Sequence, residues 1–99
     1  MDINVQAIHF DATEKLQAFI EKKLAKVGKA SDDVRKAEIV LKVEKPETAK
    51  NKSTSVRLLL KGTDLFVEKT CDTFEEGIDL CVDSLLRQVA KYKEKQHGK

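Results

Sequence analysis

The chain has no tryptophan, one tyrosine, one proline, two cysteines, two histidines and four glycines in 99 residues. Each shortage excludes something. Cys71 and Cys81, with His9 and His97, supply no C-x-x-C spacing with histidine partners of the kind zinc sites use. A serine or cysteine nucleophile needs a histidine base within hydrogen-bond reach, and no such pairing is visible. His9 ends a strand pattern and His97 sits in a charged tail, so both read as structural or solvated residues. The glycines are isolated and build no phosphate-cradling loop. Asp79 and Asp83 are spaced i, i+4, formally able to hold a metal, but a nearby helix N-terminus accounts for them better. The expectation is a protein that is not an enzyme and that holds no metal and no cofactor. Aromatics make up 5% of the chain, too few for a sheet face that stacks single-stranded bases. No apolar run approaches a membrane span, and the N-terminus opens on an alternating pattern in place of a signal peptide. The two cysteines read as reduced thiols of a cytosolic protein, Cys81 acting as a small apolar residue on a buried helix face.

What the chain does have is charge. Nineteen basic residues face seventeen acidic ones, a net of +2. The molecule as a whole is no polycation, so nucleic-acid binding would require the charges to be sorted in space. Residues 1–99 are expected to form one domain, near the small end for a self-sufficient core.

The elements follow from periodicity. Asp2 to His9 alternates, with Ile3, Val5 and Ala7 on one side, and predicts a half-buried strand. Asp11 or Thr13 caps a helix to Val27 with Leu16, Phe19, Ile20, Leu24 and Val27 on its apolar face, and Gly28 reads as its stop. Ala30 to Val34 reads as a polar connection, then Arg35 to Glu44 and Ser55 to Lys61 alternate as strands around a long loop from Lys45 to Ser53. Gly62-Thr63-Asp64 is a short turn before a fourth strand, Leu65 to Lys69. Thr73 and Glu76 form a capping box that opens a long helix reaching Lys95, with Ile78, Cys81, Val82, Leu85, Val89 and Tyr92 at steps of three and four. The fold class is α+β: a two-layer sandwich in β-α-β-β-β-α order, a four-stranded sheet with two helices on one face. The outward sheet face, with Glu38, Lys42, Glu44, Arg57, Lys61 and Glu68, is expected to be wet.

The helices sort their charges. In the last helix, Asp72, Glu75, Glu76, Asp79 and Asp83 come early and Arg87, Lys91, Lys93 and Lys95 late, as the macrodipole favours. At roughly 100° per residue, Arg87, Lys91 and Lys95 fall at about 180–260° from the apolar face, with Ser84 between them. In the first helix, Lys15, Lys22, Lys26 and Lys29 fall at about 220–280°. A solvated face explains one such stripe. Two at the same offset suggest a shared cationic ridge able to lie along RNA phosphates.

At these residues the chain resembles the ribosome hibernation-promoting factors, also called the ribosome-associated inhibitor or sigma-54 modulation protein family. Gly77-Ile78-Asp79, Asp83 and Leu85-x-Arg87-Gln88-Val89-x-Lys91-x-Lys93-x-Lys95 are similar to the family's A-I-D-x-x-x-D-K-L-x-R-Q-L-x-K-x-K signature. Thr13-Glu14-x-Leu16 through Phe19-Ile20, Lys23 and Lys26 match in the first helix, and Val40 to Lys45 in the second strand. The resemblance implies a fold similar to the double-stranded RNA-binding domain. It also implies a cytoplasmic, ribosome-associated bacterial protein that binds 16S ribosomal RNA of the small subunit, over the messenger RNA path and the A and P sites. Such a protein inhibits translation in stationary phase and tunes inactive paired ribosomes. Carried onto this chain, it implies phosphate contacts at Lys22, Lys23, Lys26, Arg87, Lys91, Lys93 and Lys95, and a ribose or base contact at Gln88. Lys23 points toward the core edge and would have to snorkel. The chain departs from the family at Ser84, where the signature has lysine, at Glu75, and in its longer loop from Pro46 to Ser53. The length suits the short subtype. The alternative reading is a protein-interaction module that modulates a transcription factor, as the older family name suggests.

Overall fold

A computed structural model of the chain describes residues 1–8, 10–44 and 51–97. The elements are β1 (Asp2–Ile8), α1 (Glu14–Ala30), β2 (Val34–Val43), β3 (Lys52–Leu60), β4 (Thr63–Cys71) and α2 (Phe74–His97). The strands form one mixed sheet in the order β1-β2-β3-β4, and the expected β-α-β-β-β-α sandwich is what the chain adopts. The expected loop from Lys45 to Ser53 lies outside the described residues over 45–50, as does His9, and its last residues, Lys52 and Ser53, belong instead to β3, where they pair with both neighbouring strands.

Topology follows from the connections. β1 and β2 pair in parallel, which no tight turn can achieve, so α1 makes the crossover between them. β2, β3 and β4 are antiparallel neighbours. Lys61-Gly62 is a two-residue turn because Gly62 takes a φ of +84°, a conformation open to glycine, so Thr63 and Asp64 already belong to β4. Both helices run back across the sheet against their preceding strands and are therefore parallel to each other.

The core lies between sheet and helices. Ile20, Leu24 and Val27 of α1, Ala37, Ile39 and Leu41 of β2, Val56 and Leu58 of β3, and Ile78, Cys81, Leu85 and Val89 of α2 are fully or almost fully buried. Val34, expected in a polar connection, is also in the core. A bulge between Val34 and Lys36 restores its inward direction, since Val34 and Ala37 would otherwise face opposite sides. Gly28 does not stop α1. Its bare Cα lets the Met1 side chain approach, within 3.2 Å of where a Cβ would sit, and the helix continues to Ala30.

Thr13 is the cap of α1: its Oγ1 accepts from the Leu16 amide at 3.1 Å. Thr73 does the same for α2, accepting from the Glu76 amide at 3.1 Å. Phe10 and Phe74 stack at 4.7 Å and fasten the two helix starts together. Both cysteines are buried, and neither is in a disulfide among the described residues. Burial pushes the Cys81 thiol up to about 12, and its Sγ donates to the Thr54 carbonyl at 3.7 Å. On the outer sheet face, Lys36 pairs with Glu38 at 3.5 Å and Arg57 with Asp64 at 4.0 Å, so that surface neutralises much of its own charge.

Candidate nucleic-acid interface

Two parallel helices with the same stripe offset do not bring their stripes together. Each basic stripe sits on the same angular flank of its helix. The flank of α1 that carries Lys23 faces α2, where Lys23 Nζ meets Asp79 at 3.1 Å. The equivalent flank of α2 therefore faces away from α1, over β4. The expected single ridge becomes two tracks about one helix spacing apart, with the Asp79 and Asp83 side of α2 between them.

The α2 track is the one that borders a groove. Gln88, Lys91 and Lys95 line a groove of about 430 Å³ between α2 and the β3–β4 hairpin, whose other wall is Lys61, Gly62, Thr63 and Leu65. Tyr92 closes the bottom of this groove. Arg87 is exposed and stands one turn before Lys91 on the same track. Ser84, which occupies the place of a family lysine, accepts a hydrogen bond from Gln88 Nε2 at 3.1 Å and so orients that amide toward the track.

Lys93 lies on the other side of Tyr92. It lines a second groove, of about 410 Å³, with Lys29, Asp32 and Asp33. Lys22 and Lys26 are exposed on α1. Lys23 is half-buried, with its ammonium held by Asp79 and 5.5 Å from the centre of the Phe19 ring. Among the described residues, no carboxylate lies within ion-pair distance of Lys22, Lys26, Arg87, Lys91, Lys93 or Lys95. These six cations stay available to an external anion; Lys23 must first release Asp79.

Tyr92 is the anchor of this end of the molecule. Its phenol donates to Asp33 Oδ2 at 2.9 Å and lies 3.1 Å from the Lys61 carbonyl oxygen. The Lys61 amide in turn donates to the Asp33 carbonyl at 3.2 Å. Burial pushes the Tyr92 phenol above its ordinary range, and its bond to Asp33 adds to the shift. Three segments distant in sequence are thereby tied in one place. Periodicity treats Tyr92 as one more apolar residue, and its hydroxyl is the only local hint of this role.

The family model described as "Sigma 54 modulation protein / S30EA ribosomal protein" matches residues 3–97. The chain belongs to this family. Within the family it is similar to the ribosome hibernation promoting factor of Pseudomonas putida, with 28% identity over 98 residues, 99% of this chain and 92% of the relative. The factor of the same name from Escherichia coli K12 is also 28% identical, with 96% of each chain covered. A ribosomal subunit interface protein from Coxiella burnetii superposes with a TM-score of 0.83 at 24% identity over 94% of this chain and 98% of that one, a likeness of fold.

Proposed function

We propose that this chain is a ribosome-associated inhibitor of translation that acts in the cytoplasm. It docks on the small subunit through 16S ribosomal RNA, covers the messenger RNA path and the A and P sites, and tunes the formation of inactive ribosome pairs in stationary phase. The chain acts as a single ribosome-binding domain spanning residues 1–99. The observation that carries the reading is the α2 track: Arg87, Lys91 and Lys95 point the same way with no carboxylate partner among the described residues, on a rigid element of a protein whose relatives are named for ribosome hibernation. An RNA backbone is the ligand that such a row of free cations fits. Lys22, Lys26 and Lys93 add phosphate contacts, Lys23 joins by exchanging Asp79 for a phosphate, and Gln88 reaches a ribose or a base edge. The relatives' names favour the ribosome over a transcription factor as the partner.

The test is sedimentation with purified small subunits at several salt concentrations. The wild-type chain should co-sediment, with binding that falls steeply with salt as counterions are released. Arg87→Glu combined with Lys91→Glu should abolish binding while the circular dichroism spectrum and Tm hold, because both side chains are exposed. Unchanged binding in that variant would refute the reading.

A further inference from the structure

Lys61, expected on the outer sheet face, sits instead in the turn after β3, and although it belongs to no helix stripe the fold carries it to the α2 track. It sits at the tip of the β3–β4 hairpin and lines the same groove as Lys91 and Lys95. Its main chain is held on both sides: the amide donates to the Asp33 carbonyl at 3.2 Å, and the carbonyl lies 3.1 Å from the Tyr92 hydroxyl. The lysine is thus mounted on a fixed base while its side chain stays exposed, with no carboxylate in ion-pair distance among the described residues. The groove has Lys61 on its hairpin side, Lys91 and Lys95 on its α2 side, and the apolar surfaces of Leu65 and Tyr92 in its lining. It is open to solvent, with a volume of about 430 Å³.

We propose that this groove is a nucleotide-holding site within the RNA interface. One unpaired nucleotide of ribosomal RNA enters it. Its phosphodiester lies between Lys61 on the hairpin and Lys91 and Lys95 on α2, its sugar and base rest on Leu65 and Tyr92, and Gln88 contacts a polar edge. An open track of lysines on one helix reads phosphates from one side only. Adding the hairpin converts it into a clamp, which favours a strand that leaves the duplex over a continuous helix. The inference rests on the RNA-binding reading given above and adds to it a residue, Lys61, and a ligand geometry.

The experiment compares Lys61→Gln with Lys42→Gln in the full chain against purified small subunits over a salt series. Lys42 lies on the outer sheet face, so its removal changes net charge equally without touching the groove. Both bonds that hold residue 61 are main-chain on its side, so Lys61→Gln keeps them. Each phosphate neutralised contributes about 0.7–0.9 to the salt slope, so losing one weakens binding about five- to eightfold at 0.1 M salt. Lys61→Gln should show that loss together with a slope lower by about that amount, and Lys42→Gln should match the wild type. Equal behaviour of the two variants, with the wild type still binding, would overturn the clamp and leave the ribosomal reading intact. Absence of salt-sensitive binding by the wild type would overturn both.

Discussion

Gly77→Ala is the substitution in which two familiar effects oppose each other most directly. Gly77 is buried in the first turn of α2. Alanine in a helix interior is favoured over glycine by about 1 kcal/mol, and by less in a first turn. The family signature carries alanine at this place. In this chain, however, a Cβ built on Gly77 lies 2.5 Å from Thr54 Oγ1 and 3.0 Å from Thr54 Cβ. Thr54 is fully buried on β3, so neither partner can move into solvent. Forcing a methyl group into a filled core costs about 1–3 kcal/mol. The clash wins, and the variant should be about 1–2 kcal/mol less stable once the propensity gain is subtracted. At 4–8 °C per kcal/mol for a domain of this size, Tm should fall by about 4–16 °C. Thr54 Oγ1 has no hydrogen-bond partner among the described residues, so Thr54→Ala removes the offending oxygen without breaking a bond seen there. Thermal melts of the single and double variants form a cycle in which Thr54→Ala should relieve Gly77→Ala by about 1 kcal/mol or more. A higher Tm for Gly77→Ala, with no coupling to Thr54, would show that the contact across α2 and β3 is not tight and that helix propensity rules.

Three further outcomes follow from other contacts. Tyr92→Phe should lower Tm and reduce hydrogen-exchange protection at the Lys61 amide, since the hydroxyl that ties α2 to Asp33 and the hairpin is gone; unchanged protection would mean that the hairpin is held by the sheet alone. The Cys81 thiol is pushed from 9.0 to about 12, so the folded state keeps a proton that the unfolded chain loses; stability is fully present below pH 9 and should decline through pH 12, by about 4 kcal/mol at most, in urea titrations. Tyr92, also raised, contributes in the same direction above its ordinary value of 10.0, so the decline should shrink but persist in Cys81→Ala. Lys23→Gln should change stability by less than about 1 kcal/mol, because its pair with Asp79 is partly exposed; in the salt-series binding assay it should reduce the slope less than Arg87→Gln, and an equal reduction would show that Asp79 does not compete with RNA.

The element order was legible because each element announces itself over a short window. Alternation marks β1, β2 and β3, and steps of three and four mark both helices. Thr13 and Thr73 are side-chain caps whose partners lie three residues on, so they too are local. What local patterns misjudged were places where a distant residue sets the outcome. Gly28 carries the ordinary signal of a helix stop, yet Met1 settles on it and the helix continues. Val34 looks like part of a polar turn until the bulge beside β3 turns it inward. The core-edge position of Lys23 is readable from spacing, but its partner is not, since Asp79 is brought to it by α2.

The sequence by itself determined the helices, the strands, the apolar face of each and the charge on the faces left over, because these depend on spacing along one backbone. Only the tertiary structure decided how those charged faces combine. The helices are parallel, so equal offsets place one basic stripe on the side of α1 toward α2 and the other on the open flank above β4. There the hairpin delivers Lys61, held by Tyr92 and Asp33 from 31 and 28 positions away in the chain (92 − 61 and 61 − 33). Helical periodicity fixes a direction around one axis; where two axes lie relative to each other is set by the sheet beneath them.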